Sequence, residues 1–194
     1  MPAVQTGQRL LDSATEAFAA KGFHGTTTRD IAAAAGVTPG AVYVHHRSKE
    51  ELLYSISKLG HERTLELVQA AAATSSNPVE QIRTMVRDFV EWQSSNRTKS
   101  SVVNFELAAL SDEHRTEVLD IRRAVDAEFR TVVDQGRKQG LFDVPDTALA
   151  VFALLSLCID VARWYRSDGR LSAAEIGNHH SSMALRMLGA AAEA

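Results

Sequence analysis

A chain of 194 residues, 45% apolar and 23% charged, has the material for a sizeable core in one large domain or a small one joined to a larger one. The net charge of −3 excludes a polycation that holds nucleic acid by bulk charge, so any such contact must come from where charges sit. The single cysteine, Cys158, excludes an internal disulfide and fits a reducing compartment.

The N-terminus, MPAVQTGQRLLDSATEAF, has no apolar signal core. No stretch reaches the roughly 20 apolar residues of a membrane span, so the expectation is a cytoplasmic protein with no membrane contact. Ala, Leu and Val are abundant and aromatics are only 6%. Prolines 2, 39, 78 and 145 fall at the terminus or at apparent helix starts, and no alternating run is long enough for a strand. The fold class is all-α.

The first helix spans residues 6–21, with Leu10, Ala14, Ala17 and Phe18 on one face. Lys21-Gly22 is a stop signal, and Phe23 is placed to pack back. Residues 27–49, TTRDIAAAAGVTPGAVYVHHRSK, then predict two short helices about a tight turn. Thr27 and Asp30 form a capping box, Gly36 suits the left-handed helix end, Thr38 caps again, and Pro39 stands at the first helical position. Small residues between two short helices at a glycine turn are what a helix-turn-helix requires. Ile31 and Val42 are expected in its core.

Ser48, with Glu51, starts a long connector helix over 49–73. Asn77, Pro78 and Glu80 open a helix over 78–95, SSNRTKSS (94–101) reads as a polar loop, and VVNFELAAL (102–110) as a short helix. SDEHR starts a long helix that reaches about Gln139 before the stop at Gly140. Pro145 and Asp146 introduce the most apolar helix, and Ser172 with Glu175 caps the last, 173–190.

Residues 10–53, from LLDSATEAFAAKGF to SKEELL, resemble the TetR family of bacterial transcriptional regulators. The resemblance implies about nine helices. It assigns residues 1–48 to a DNA-binding head and 49–194 to a ligand-binding and dimerisation domain. It also implies a homodimer through the last two helices and an effector cavity in the larger domain. Two positions depart from the family pattern: Pro39 stands where a lysine is usual, and His46 where a buried phenylalanine is usual. His46 either packs as a neutral ring or points to DNA.

Chemistry and resemblance together give the candidate contacts to double-stranded operator DNA. Thr27, Thr28, Arg29, Tyr43 and Lys49 suit phosphate oxygens, and Thr38, Pro39, Gly40, Ala41, Val44 and His45 suit a groove. The ligand candidates are Phe89, Trp92, Phe105, Phe129, Leu155 and Trp164, with the polar Asn104, Arg122, Asp160 and Arg163 on otherwise apolar faces. Asp160 and Arg163, three apart, are equally able to pair with each other. The resemblance suggests an acyl-CoA-like or other lipid metabolite as effector and repression as the mode. No cofactor or metal site is expected, because HExxH, CxxC and glycine-rich phosphate loops do not occur. The alternatives are an enzyme, which the missing motifs disfavour, and a helical interaction module without sequence-specific DNA binding.

Overall fold

The computed structural model describes residues 2–190, and every regular element among them is helical. The order is α1 (Pro2–Gly25), α2 (Thr28–Ala35), α3 (Pro39–His45), α4 (Lys49–Ala72), α5 (Pro78–Ser95), α6 (Arg97–Phe105), a 3-10 turn (Leu107–Ala109), α7 (Asp112–Lys138), α8 (Thr147–Trp164) and α9 (Ala173–Met187). The all-α architecture with a helix-turn-helix near its start is what these residues build.

Helix ends follow local chemistry. Gly22 interrupts α1 at φ +70°, and beyond it the Phe23 ring centre lies 5.5 Å from that of Phe18. Asn77 caps α5 and Asp146 caps α8, while Ser172 and Glu175 form a reciprocal box on α9. The Ser48 cap is made differently from expectation. The Glu51 N–H donates to Ser48 Oγ at 3.0 Å, but the Glu51 carboxylate accepts from the N–H of Arg47.

One expectation fails. The stretch 94–101 is helical, not a loop: Asn96 ends α5 by donating to Trp92 O, and Arg97 opens α6 immediately. Accordingly α6 ends at Phe105, and a 3-10 turn replaces the last residues of the expected 102–110 helix. Polar composition misled here because Ser100, on α6, is fully buried.

The chain divides into two compact units, Met1–His61 with Thr98–Asp120, and Glu62–Arg97 with Ile121–Ala194. The first unit packs Leu10, Phe18, Ile31, Val42, Leu52 and Ile56 against Val102, Val103 and Val118. A Cβ on Gly60 would lie 2.5 Å from Val103, so α4 and α6 approach closely there. The first turns of α7 are tied to α4: Glu50 accepts from the Ser111 N–H at 2.9 Å and meets His114 Nδ1 at 2.9 Å. The His114 ring stacks on Tyr54 with centres 3.8 Å apart, and Tyr54 and Lys58 both donate to Glu117. Those two donors hold the Glu117 carboxyl below its ordinary range, Lys58 contributing most.

The second unit has its own core, in which Ile82, Val86 and Phe89 of α5 join Phe129 and Val133 of α7, Leu154 and Cys158 of α8, and Leu188. Gly177 brings α9 onto α5, where a Cβ would meet Arg87 O at 2.8 Å. By length and composition α8 is long and apolar enough to cross a membrane, contrary to the expectation that no stretch comes near. Its apolar residues divide between two faces. Val151, Leu154, Cys158 and Val161 are buried, whereas Leu149 and Phe152 are 68% and 70% exposed. That second face is apolar and uncovered within this chain.

Candidate nucleic-acid interface

The helix-turn-helix is held by short-range bonds that the sequence specifies. Thr27 Oγ1 accepts from the Asp30 N–H at 3.1 Å while Asp30 Oδ2 accepts from the Thr27 N–H at 2.9 Å. These bonds hold the Asp30 carboxyl below the usual carboxylate range. Gly36 takes the left-handed conformation at φ +65°, its N–H turned onto Ala32 O and Ala33 O. Thr38 Oγ1 accepts from the Ala41 N–H at 3.3 Å, and Pro39 opens α3. Ile31 and Val42 are fully buried beneath the turn.

This leaves one face of α3 in solvent. Thr38, Pro39 and Gly40 are exposed, Val44 is 81% exposed and Tyr43 54%, while Ala41 and His45 are partly buried. Thr27 and Arg29 are exposed at the start of α2, and Thr28 is partly buried. Thr28 and Tyr43 come together, their hydroxyls 3.3 Å apart. Two neutral donors are thus joined at the edge of a face whose groove-facing part is made of small side chains, which allows close approach to a duplex.

Lys49 is placed differently from the expectation of a phosphate contact. Its ammonium donates to Phe23 O at 2.6 Å and Thr26 O at 2.7 Å and lies 4.1 Å from the Phe23 ring centre. Beyond the break at Gly22, Phe23 O also accepts from the Thr26 N–H at 3.3 Å, and the cation adds a donor to that carbonyl and to Thr26 O. His45 is partly buried beside α1, its Nδ1 3.7 Å from where a Cβ on Gly7 would stand. His46 is also partly buried, and burial pulls its imidazole below its ordinary pKa, Glu51 opposing and His45 reinforcing. Packing is what this environment supports for it. Sequence reasoning missed Arg9, whose guanidinium donates to Ala35 O at the end of α2. Its spacing from α2 carries no signal for that bond, which exists only in the folded head.

The ligand candidates separate. In the second unit, Phe89 and Phe129 are buried in the core, and Leu155 packs on it partly buried, as Trp92 also is. Asn104 and Phe105 belong to the first unit, with Asn104 Nδ2 donating to Ser100 O at 2.8 Å. Asp160 and Arg163 pair at 3.5 Å with both side chains more than half exposed. Trp164 is 49% exposed and stacks against His180, with centres 6.0 Å apart. These last three face out from α8 and line no interior of this chain. Arg122 is partly buried on α7.

Comparison with known proteins agrees with this geometry. Residues 10–56 match the family described as bacterial regulatory proteins, tetR family, and residues 75–188 match the tetracyclin repressor-like C-terminal domain. A solved bacterial regulatory protein of the tetR family from Rhodococcus RHA1 is 38% identical, with 96% of this chain and 98% of that one covered and a TM-score of 0.92. The HTH-type transcriptional repressor KstR2 of Mycobacterium tuberculosis is 26% identical over 179 residues, 91% of this chain and 89% of KstR2. AibR, solved with isovaleryl coenzyme A and operator DNA, is 25% identical with a TM-score of 0.85, covering 92% of this chain and 97% of that one. The chain belongs to the TetR family of bacterial regulatory proteins and is a DNA-binding transcriptional regulator.

Proposed function

We propose that the chain represses transcription as a homodimer bound to a palindromic operator, and that a small, largely apolar effector releases it. The observation that carries the DNA half is the exposed face of α3, small from Thr38 to Ala41 and flanked by the Thr28–Tyr43 hydroxyl pair. The phosphate set is Thr27, Thr28, Arg29 and Tyr43, with Lys49 acting through the head rather than by direct reach. Thr38, Pro39, Gly40, Ala41, Val44 and His45 face bases. One such head reads few base pairs. Two related by a two-fold axis present their α3 helices to successive major grooves about 34–36 Å apart.

The exposed Leu149 and Phe152 of α8, with Met187 of α9, support pairing of two copies through these helices. Residues 1–48 then act as the head, and 49–194 as the effector and dimerisation domain, joined by a connector over 49–73. AibR was solved with an acyl-coenzyme A, and KstR2 is described as a ketosteroid regulator. An acyl-CoA-like or other lipid metabolite is the effector class proposed here, with Phe89, Trp92, Phe129 and Leu155 along its apolar body. The effector acts by favouring a dimer whose heads no longer fit adjacent grooves, which requires that it bind that state more tightly than the DNA-bound one.

The test is selection of bound duplexes from random DNA, followed by titration of the selected operator with candidate effectors. A two-fold-symmetric site released by an apolar metabolite is the expected result. An asymmetric consensus, or operator affinity unchanged at saturating effector, overturns the corresponding half.

A further inference from the structure

Val44, at 81%, is the most exposed of the large apolar side chains among the described residues. Leu149, Phe152 and Met187 lie on the two helices proposed to pair with a second copy. Val44 stands instead near the end of α3, within the helix-turn-helix. A branched apolar side chain held in water on that helix gains most from an apolar partner on the DNA.

The surroundings of Val44 sharpen this. Gly40 and Ala41, four and three residues before it, share its face of α3. Helical side chains lean toward the N-terminus, so the two Val44 methyls lie over the turn that carries these small residues. That turn is bare: a Cβ on Gly40 would have only Thr38 Oγ1 within reach, at 4.0 Å. The polar groups of α3 are held to its edges. Thr38 Oγ1 accepts from the Ala41 N–H, the Tyr43 phenol meets the Thr28 hydroxyl, and His45 is partly buried with one ring nitrogen toward α1. The helix, PGAVYVH, contains no Arg, Lys, Asn or Gln, the side chains that form two-bond contacts with guanine or adenine.

We infer that Val44 is a specificity-determining residue and that it selects thymine, its methyls packing on the C5 methyl that thymine presents in the major groove. The inference rests on the groove-facing role proposed above for α3 and names what that face reads. On the major-groove edges of the bases the thymine methyl is the apolar group, while cytosine, guanine and adenine present donors and acceptors. An apolar side chain set against those atoms removes water from them without replacing its hydrogen bonds, which penalises the other bases. Gly40 and Ala41 leave room for the methyl to seat against the helix.

The experiment uses the full chain and the operator selected from random DNA, with each thymine of a half-site replaced in turn by uracil, which pairs identically and lacks the methyl. At one thymine, or two adjacent ones, uracil is expected to weaken binding about four-fold per half-site, the scale of one methyl-sized group withdrawn from water. Replacing that T·A pair by C·G should cost more, and 5-methylcytosine at the same place should recover about the uracil factor. Val44→Ala should erase most of both effects, and Val44 is too exposed for the change to disturb the fold. A half-site without thymine overturns the proposal, as does a uracil penalty that is absent or keeps its full size in Val44→Ala. Val44→Asp separates this failure from failure of the reading beneath it. If it abolishes binding while uracil costs nothing, α3 enters the groove and the methyl contact is wrong. If it leaves affinity unchanged, the base-facing role of α3 falls together with the proposal.

Discussion

The hydroxyl of Thr28 lies 3.3 Å from the phenolic oxygen of Tyr43, joining the first residue of α2 to the exposed middle of α3. Either oxygen can donate to the other, and both can turn to an outside acceptor. The pair is already assembled before DNA arrives, so little side-chain freedom is lost when a phosphate is bound.

Removing the phenol tests this. Tyr43→Phe keeps the ring and is expected to lose about ten-fold in operator affinity, the scale of one hydrogen bond to a charged group. Because a neutral donor displaces no counterion, the salt dependence of binding should stay as it is. Arg29→Ala should instead reduce the slope of log affinity against log salt by about 1. Affinity titrations across a salt series separate the two, and a slope change in Tyr43→Phe would contradict this division of roles.

Lys49 should behave as a residue of the head's interior. Lys49→Met removes the ammonium donor from Thr26 O and leaves Phe23 O with the Thr26 N–H alone, an expected loss of about 1–3 kcal/mol in unfolding free energy. Operator and random duplex should be weakened to a similar degree, since the damage is to the head and not to base contacts. Chemical denaturation with binding to both duplexes checks this. Full stability with loss of DNA affinity alone would return Lys49 to the phosphate set.

The head was legible in the sequence because its elements are fixed by neighbours in the chain. Thr27 with Asp30, Gly36 and Thr38 with Pro39 each act within a few residues, and periodicity placed Ile31 and Val42 inside. What was not legible depends on residues far apart in sequence. Lys49 bonds to carbonyls 23 and 26 residues away, and Arg9 to one 26 residues away. No local pattern distinguishes such a cation from one waiting for a phosphate. The stretch 94–101 was misread for a related reason, since its serines and asparagine suit a loop until long-range packing buries Ser100. On α8, apolar type alone could not tell core from uncovered surface, which is why Leu155 packs on the core while Trp164 lies half in water.

Cys158 is the one thiol, fully buried in α8, and burial pushes it up to about 12. At pH 8 it is therefore protonated and shielded from reagent. Alkylation by iodoacetamide should be negligible in the native protein and should rise along the denaturant unfolding curve. Prompt labelling of the folded chain would show that α8 opens in the native state.

The uncovered face of α8 gives the sharpest test of pairing. Leu149 and Phe152, three residues apart, point the same way, and Ser156 and Asp160 continue that face toward the C-terminus. If a second copy covers it, a charge there is buried without a partner on both sides of the two-fold axis. Phe152→Glu is therefore expected to give a monomer by light scattering with its helical content intact, because the side chain is 70% exposed and supports no core within its own chain. Operator affinity should fall by roughly a hundred-fold or more as the second head ceases to bind at high effective concentration. Val44→Asp is the control, since it faces DNA and should abolish operator binding while the dimer persists. A Phe152→Glu protein that remains dimeric would place the pairing surface elsewhere than α8.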